Sequence, residues 1–319
     1  MARTMDGGAP PDPAYRLANS AEAALRDDLA RGDMALDGAA AVLRYLLGND
    51  DRAIFTDDIV ARVRGMIEDL AAQLIAAWEA ADPASGPDPL AREALVAALI
   101  GDAGLLAHVH ALALEWRITT RLQDRVQLDP VLSPLVQSLI GAPEPDTAAL
   151  AMHLLAAQAR FGNAQLRMQL AIGELPGDLL KVALQALRAQ TGGGQRTMLA
   201  ERAIRAGIDE RAGRLGLLAR LVRTMGADSA TGLALAEAGT AIFFTALALA
   251  AGAPRDAVVL AASDDHAARL LLLLTAAGLP DPAVDAQFVL LHPDASSPER
   301  ERLTADRARA ILTDTGPNT

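Results

Sequence analysis

The sequence predicts an all-α fold, arranged either as a multi-helix bundle or as an irregular α-solenoid of helix hairpins. Hydrophobic residues make up 51% of the 319-residue chain and are mainly Ala and Leu, which are strong helix formers. Aromatic residues account for only 3%, so neighbouring helices can approach closely. Gly and Pro recur between the apolar segments, where helices begin and end.

The predicted helix junctions repeat one pattern along the chain. A Gly supplies the left-handed residue that ends a helix, a Pro blocks its continuation, and an Asp caps the next helix. The clearest examples are Gly252–Asp256 and Gly278–Pro282. Helical periodicity between such junctions predicts helices over residues 15–30, 37–47, 56–81, 90–100, 105–126, 131–140, 147–161, 165–172, 178–190, 196–206, 210–225, 232–251, 256–262, 264–277, 282–291 and 304–312.

Gly- and Pro-rich segments divide these helices into three predicted groups. Residues 82–89 cannot continue a helix and form the first linker, and the glycine run at 191–195 marks a second boundary. The predicted organisation is a flexible tail at 1–13, an N-terminal helical bundle at 14–81, a middle helical region at 90–190, a C-terminal helical region at 196–312 and a tail at 313–319.

Charge and composition restrict the partners and the location. A net charge of −11 and a pI near 4.9 disfavour binding to nucleic acid or to an anionic membrane surface. Residues 233–251 approach membrane-spanning length, but they include Glu237 and Gly239, so a buried helix is expected. Because cysteine is absent and residues 1–13 lack the apolar core of a secretory signal, we expect a cytoplasmic protein without membrane contact.

No motif for catalysis, a cofactor or a metal is found. Lys181, the only lysine, does not lie in a P-loop, and the glycines of 192–194 follow no predicted strand. His108 and His110 are two residues apart, so they lie on different faces of a helix and cannot easily share a metal. We therefore predict no catalytic residue, no cofactor and no metal ligand.

Two pairs of acids, Asp57 with Asp58 and Asp264 with Asp265, lie at predicted helix starts. Carboxylates there accept hydrogen bonds from free backbone N–H groups and complement the helix dipole. Helix capping is therefore preferred to acid–base catalysis.

One arrangement leaves an enzymatic alternative open. His108 and Glu115 are seven residues apart and can align on one helix face, with Arg117 close by. Convergence of these groups in one cleft would favour an enzyme, and their dispersal would oppose it.

Residues 196–223 carry the most polarised charge. Arginines outnumber the acids Glu201, Asp209 and Glu210 there, and several lie three residues apart and so share a helix face. Guanidinium groups bind carboxylates and phosphates, so this segment is a candidate surface for an acidic protein partner, or its arginines form salt bridges within the chain. Nucleic acid is less expected, because aromatic stacking groups are lacking nearby. The candidate partner-binding residues are Arg202, Arg205, Arg211, Arg214, Arg220 and Arg223.

The segments Phe243–Pro254 and Ala276–Pro280 resemble an all-helical bacterial family known only as a domain of unknown function and HEAT-like in parts. The resemblance covers roughly the C-terminal third of the chain. It implies HEAT-like helix hairpins and a regulatory or scaffolding role in the bacterial cytosol, and it supplies no site residues.

The expected function is a non-enzymatic scaffold that binds an unidentified protein partner, and the sequence also allows a homo-oligomer. The alternative function belongs to another class. It is a small-molecule binder with an apolar pocket among the C-terminal helices, around Phe243, Phe244 and Phe288.

Overall fold

A computed structural model describes residues 13–48, 58–83, 89–226, 229–262, 267–293 and 303–314. These ranges contain helices and no strand, which confirms the predicted all-α class. The α-helices there are α1 (Pro13–Gly48), α2 (Asp58–Ala80), α3 (Pro89–Gly101), α4 (Ala103–Val126), α5 (Pro134–Ile140), α6 (Pro145–Leu166), α7 (Gly177–Thr191), α8 (Gln195–Ala206), α9 (Arg214–Met225), α10 (Leu235–Ala251), α11 (Arg255–Ala261), α12 (Ala267–Ala276), α13 (Asp281–Leu291) and α14 (Ala305–Asp314).

Most of the predicted junctions separate helices as expected. Gly252 ends α10 with a φ of 68°, and α11 begins three residues later, directly after Pro254. At the start of α4 the Asp102 side chain accepts a hydrogen bond from the Leu105 N–H, which satisfies one of the free donors of the first turn. The predicted Gly and Pro roles are therefore confirmed at Gly252–Asp256, and Asp102 caps α4, but Asp256 and Asp281 lie in the first turns of α11 and α13 and do not cap them.

Two predicted breaks do not occur. Helix α1 is continuous where two helices were predicted, and α6 continues through Gly162 to Leu166. A Cβ atom at Gly162 would lie only 3.2 Å from the Trp116 ring. This glycine therefore allows α6 to approach α4 closely and does not end the helix.

Two large hydrophobic cores share helix α4. One face of α4 places Leu114, Ile118 and Leu122 in a core with α5, α6 and α9–α13. Another face places Leu105 and Leu112 in a core with α2, α3 and α7. Each core therefore combines helices from different predicted sequence groups, and the boundaries predicted at 82–89 and 191–195 separate helices that pack together.

Helices distant in sequence pack against each other in several places, notably α6 with α9, α4 with α11, and α12 with α14. In a solenoid each repeat contacts only its neighbours. The packing of the helices in the described ranges is therefore closer to the predicted bundle than to the predicted solenoid.

Within the described ranges, no single helix combines the length and apolar character that crossing a membrane requires. Two bent pairs meet that test only jointly: Leu90–Gly101 with Ala103–Val126, and Leu235–Ala251 with Arg255–Ala261. In the second pair, most residues of α10 are buried, as predicted for 233–251.

Candidate ligand-binding cleft

A buried ion cluster joins helices α4, α9 and α11. Glu115 of α4 lies between Arg214 of α9 and Arg255 of α11, and each guanidinium donates two hydrogen bonds to the carboxylate. The four distances lie between 2.8 and 3.2 Å. Such bidentate pairs are among the strongest hydrogen bonds that proteins form.

Arg214 is buried although it carries a charge. Its side chain is fully buried, and its guanidinium lies over the Phe161 ring, 3.7 Å from the centroid. Its Nε lies 3.6 Å from a Glu174 carboxylate oxygen, and Nη1 is 3.5 Å from Gln158 Oε1. The two carboxylates and the aromatic face together compensate for the lost hydration of this cation.

The electrostatics of the cluster keep Glu115 and Arg214 charged. Burial alone would raise the pKa of Glu115, but the adjacent Arg214 and Arg255 outweigh this effect and lower the pKa to about 2. Burial alone would lower the pKa of Arg214, but Glu115 and Glu174 raise it above the ordinary arginine value. Glu115 is therefore an ionised structural carboxylate at neutral pH and not a proton donor.

A second pair lies beside this cluster. His108, seven residues before Glu115 on α4, is 1% exposed, and its Nδ1 lies 2.8 Å from Oδ2 of Asp256 on α11. A carboxylate accepts, so Nδ1 carries the proton of this hydrogen bond. His108 Nε2 is buried and has no hydrogen-bond partner in the described part of the chain. Asp256 is more accessible, with 31% of its side chain exposed.

A cleft of about 330 Å³, which we call the junction cleft, lies beside these pairs. His108, Arg255 and Asp256 form its polar end. Its walls are mainly apolar and come from α9, α10 and the Gly252–Asp256 junction. The lining residues are His108, Pro176, Leu215, Ala219, Thr245, Ala248, Leu249, Ala253, Pro254, Arg255 and Asp256.

The local sequence of the Gly252–Asp256 junction explains why Arg255 and Asp256 lie next to α4. Gly252 takes the left-handed conformation that ends α10, and the fixed φ of Pro254 starts α11 at once. The next two residues, Arg255 and Asp256, therefore lie in the first turn of α11, where they reach Glu115 and His108 of α4. The Arg255 Nε also donates to the Thr245 hydroxyl of α10 at 3.0 Å, which fixes the guanidinium further.

The structure brings together two of the three residues named for an enzymatic alternative. His108 and Glu115 are both buried and both contact α11, as their seven-residue spacing allows. Arg117 does not line the cleft. The sequence reasoning missed Arg255 and Asp256, since their partners are 140 and 148 residues away. The only available signal was the Gly-x-Pro-Arg-Asp junction itself.

The candidate arginines do not form one exposed strip. Arg202, Arg205, Arg211, Arg220 and Arg223 are exposed, but Arg214 is fully buried. The assignment of Arg214 to a partner surface is therefore corrected, because its charge is used internally by Glu115 and Glu174.

The expected pocket around Phe243, Phe244 and Phe288 is also corrected. All three side chains are 0% exposed in the first core, and the Phe243 and Phe244 rings pack edge to face. The rings fill the space between helices and do not line the junction cleft.

The remaining candidates stay apart from the cleft. Lys181 is exposed on α7, and Asp58 pairs with Arg62 at 3.1 Å in the first turn of α2. Asp57, Asp264 and Asp265 lie outside the described residues. In the part of the chain that is described, no three His, Asp or Glu side chains are grouped as a metal ion would require.

Comparison with protein-family models, with curated proteins and with solved structures finds no match to this chain. The resemblance to a bacterial helical family stays a prediction, and the function has to be inferred from the geometry.

Proposed function

We propose that this protein binds a small apolar molecule in the junction cleft, with an amine of that molecule paired to Asp256. The single observation that carries this proposal is the meeting of apolar walls with the partly exposed Asp256 carboxylate, which is hydrogen-bonded to the buried His108, at the end of the cleft. Ligand sites commonly combine a large apolar surface with a few oriented polar groups.

The charge of the polar end favours a donor or cationic head group. Glu115 and Glu174 compensate for Arg214 and Arg255, so these four groups are neutral together. The Asp256 carboxylate remains, and His108 occupies only one of its oxygens, Oδ2. An ammonium group supplies both the positive charge and the hydrogen bonds that the other oxygen accepts.

The dimensions of the cleft favour a molecule of modest size. About 330 Å³ is at the lower end of the range for small-molecule sites. Leu215 and Leu249 provide apolar contact, and the small side chains of Ala219 and Ala253 leave the space open. An aromatic ring system with one short polar arm has this size and shape.

Binding is favoured over catalysis because the polar side chains that line the cleft are already engaged in hydrogen bonds within the protein. The one hydroxyl among the lining residues, Thr245 Oγ1, donates to the Ala241 carbonyl and accepts from Arg255. It is therefore not poised as a nucleophile. His108 is almost fully buried, so its evident role is to orient Asp256.

The proposal is tested by titrating the protein with three probes that share one ring: 2-naphthylmethylamine, 2-naphthylmethanol and 2-naphthoate. Calorimetry should give the tightest binding for the amine, weaker binding for the alcohol and none for the carboxylate, because Asp256 repels an anion. Asp256→Asn should weaken amine binding by at least about tenfold and change alcohol binding much less. Equal affinity for all three probes would exclude this polar end as the recognition element.

A pair of variants tests the location. Ala219→Leu fills the cleft from α9, whereas Ala159→Leu adds the same atoms to a half-buried position of α6 outside the cleft. We expect the first to abolish amine binding and the second to leave it within about twofold. Unchanged binding in Ala219→Leu would place the amine elsewhere and contradict the proposal.

The scaffold role that the sequence suggested stays a prediction. It is supported only by the exposed arginines of α8 and α9, since the scattered exposed apolar side chains, such as Leu90 and Leu166, lie on different helices. The junction cleft gives a more specific basis for a function.

A further inference from the structure

A second cleft lies on the other side of α9 and has the opposite electrostatic character. It measures about 400 Å³ and is bordered by Arg160 of α6, Arg220 of α9 and Arg211 of the turn before α9. His153 of α6 also lines it, and Asp209 is the one acidic lining residue. We call this the arginine cleft.

The side chains of the three arginines in this cleft do not stabilise the described fold through ion pairs or hydrogen bonds. All three are exposed, and none forms a side-chain ion pair or hydrogen bond with another residue in the described ranges. Elsewhere in the same ranges, arginines are commonly paired, as Arg188 and Arg205 are with Glu201. The Asp209 carboxylate accepts from the backbone N–H of Arg211 at 2.9 Å, so it fixes the turn and not the guanidinium.

Three guanidinium groups against one carboxylate leave two uncompensated positive charges around the cleft. This concentration is unusual on a chain whose net charge is −11. Mutual repulsion of unpaired cations is unfavourable unless an anion binds between them.

We propose that the arginine cleft binds the dianionic phosphate group of a small phosphate monoester. Guanidinium groups bind phosphate oxygens in a bidentate fashion, and the two excess positive charges match the charge of the monoester. The cleft is larger than a phosphate group needs, and Leu217, with the small side chains of Ala156 and Ala212, offers apolar contact to the organic part.

The surroundings of the cleft disfavour a long polyanion. The chain as a whole has a net charge of −11, so a nucleic acid or an extended acidic peptide that reaches beyond the arginine-rich residues 196–223 would meet a predominantly negative protein. A small anion meets only the local positive potential. The occupant proposed is therefore a small molecule and not a macromolecule.

The experiment is calorimetric titration of the full-length protein with phenyl phosphate, inorganic phosphate, a hexaglutamate peptide and a 20-nucleotide single-stranded DNA. We expect phenyl phosphate to bind most tightly, inorganic phosphate more weakly, and both to bind less tightly at high salt. This order also distinguishes an esterified from a free phosphate as the preferred source. Tighter binding of the peptide or the DNA, or no binding of either phosphate, would overturn the proposal.

Matched variants place the site. Arg211→Gln and Arg220→Gln should each weaken phenyl phosphate binding at least about tenfold, because each removes a charged donor. Arg223→Gln removes the same charge from an exposed position of α9 outside the cleft and should change the affinity less than about twofold. An equal loss in all three variants would show a general charge effect and reject this site. Far-UV circular dichroism of each variant checks that the helices are intact.

Discussion

At the scale of single residues, the Glu115 carboxylate holds the most consequential position in the described structure. It is fully buried and accepts both bidentate pairs, so it joins α4 to α9 and α11. Removing a charge from water is expensive, and a buried ion cluster is stabilising only when its groups are fully paired. The loss of Glu115 would leave Arg214, itself fully buried, with Glu174, whose carboxylate lies 3.6 Å from the Arg214 Nε, as its remaining anionic partner.

We predict that Glu115→Gln lowers the free energy of unfolding by about 3–5 kcal/mol, because two arginines lose their common counter-ion. Urea denaturation followed by circular dichroism measures this change. Glu201→Gln is the control: Glu201 also pairs with two arginines, Arg188 and Arg205, but these are about half exposed and can be solvated. Its effect should be about 1 kcal/mol. Similar effects of the two substitutions would contradict a special role of the buried cluster.

The lowered pKa of Glu115 gives a second prediction, on pH. The unfolded carboxyl takes up a proton near its ordinary pKa of 4.5, whereas the folded one does so only at about 2. Stability from this group is therefore complete above about pH 5 and is lost as the pH falls towards 2, on the order of 3 kcal/mol in all.

Unfolding free energies measured at several pH values between 5 and 2 check this prediction. The wild-type protein should lose stability more steeply than Glu115→Gln, which has no carboxyl to protonate at this position. Parallel pH profiles of the two proteins would show that Glu115 titrates as it does in the unfolded chain.

Residue-scale prediction from sequence succeeded where the partners are local. The seven-residue spacing of His108 and Glu115 correctly placed both on one face of α4. Arg214 lies on the same face of α9 as the buried Leu217 and Leu221, so helical periodicity indicated its burial, whereas its counter-ion, 99 residues away, could not be predicted. Long-range pairing is decided by tertiary packing, which helical periodicity does not describe.

At the scale of elements, helix α10 contains the most constrained backbone position. Gly239 has φ 74° and ψ 162°, a region that is almost closed to residues with a side chain. A Cβ there would also lie 3.0 Å from the Ser133 Cβ. This residue kinks the start of α10 where it approaches the beginning of α5.

We predict that Gly239→Ala lowers the free energy of unfolding by about 2–3 kcal/mol through this backbone strain and contact. Gly252→Ala is the matched control, since Gly252 also has positive φ but its Cβ would meet nothing within 4 Å. It should cost about 1 kcal/mol. Thermal or urea unfolding of both variants measures the difference, and a smaller effect at Gly239 than at Gly252 would be inconsistent with the kink.

Several element boundaries could be predicted from the residues at the junctions. Gly and Pro act on the backbone next to them, so Gly252 ends α10 and Pro254 precedes α11 as predicted, but Asp256 lies in the first turn of α11 and does not cap it. The sequence could not distinguish a glycine that ends a helix from one that admits a neighbour. Gly162 belongs to the second kind, because Trp116 lies against it.

At the scale of the whole molecule, α4 links the two large cores. Because one helix buries side chains in both, unfolding either core exposes apolar surface of α4. We predict a single cooperative unfolding transition. Tryptophan fluorescence reports on the second core, where Trp116 and Trp78 lie, and far-UV circular dichroism reports on all helices. The two urea curves should coincide, whereas separated midpoints would show independently folding halves.

The arrangement of helices at this scale could not be read from the sequence. The all-α class followed from composition, but the pairing of α6 with α9 and of α4 with α11 depends on which apolar faces fit together. Many Ala/Leu faces are chemically alike, so shape selects the pairs. The junction cleft is a product of that pairing, and its position was correspondingly unpredictable.

The junction cleft as the binding site of an apolar amine is the central claim, and methyl NMR tests it most directly. Protein labelled with ¹³C at Ala and Leu methyl groups would be titrated with 2-naphthylmethylamine. We predict that the large shift changes fall on Leu215, Ala219, Leu249 and Ala253, with little change at Leu70 and Leu95 of the second core. Saturation with no shift at the cleft methyl groups, or with shifts centred on the second core, would contradict the account.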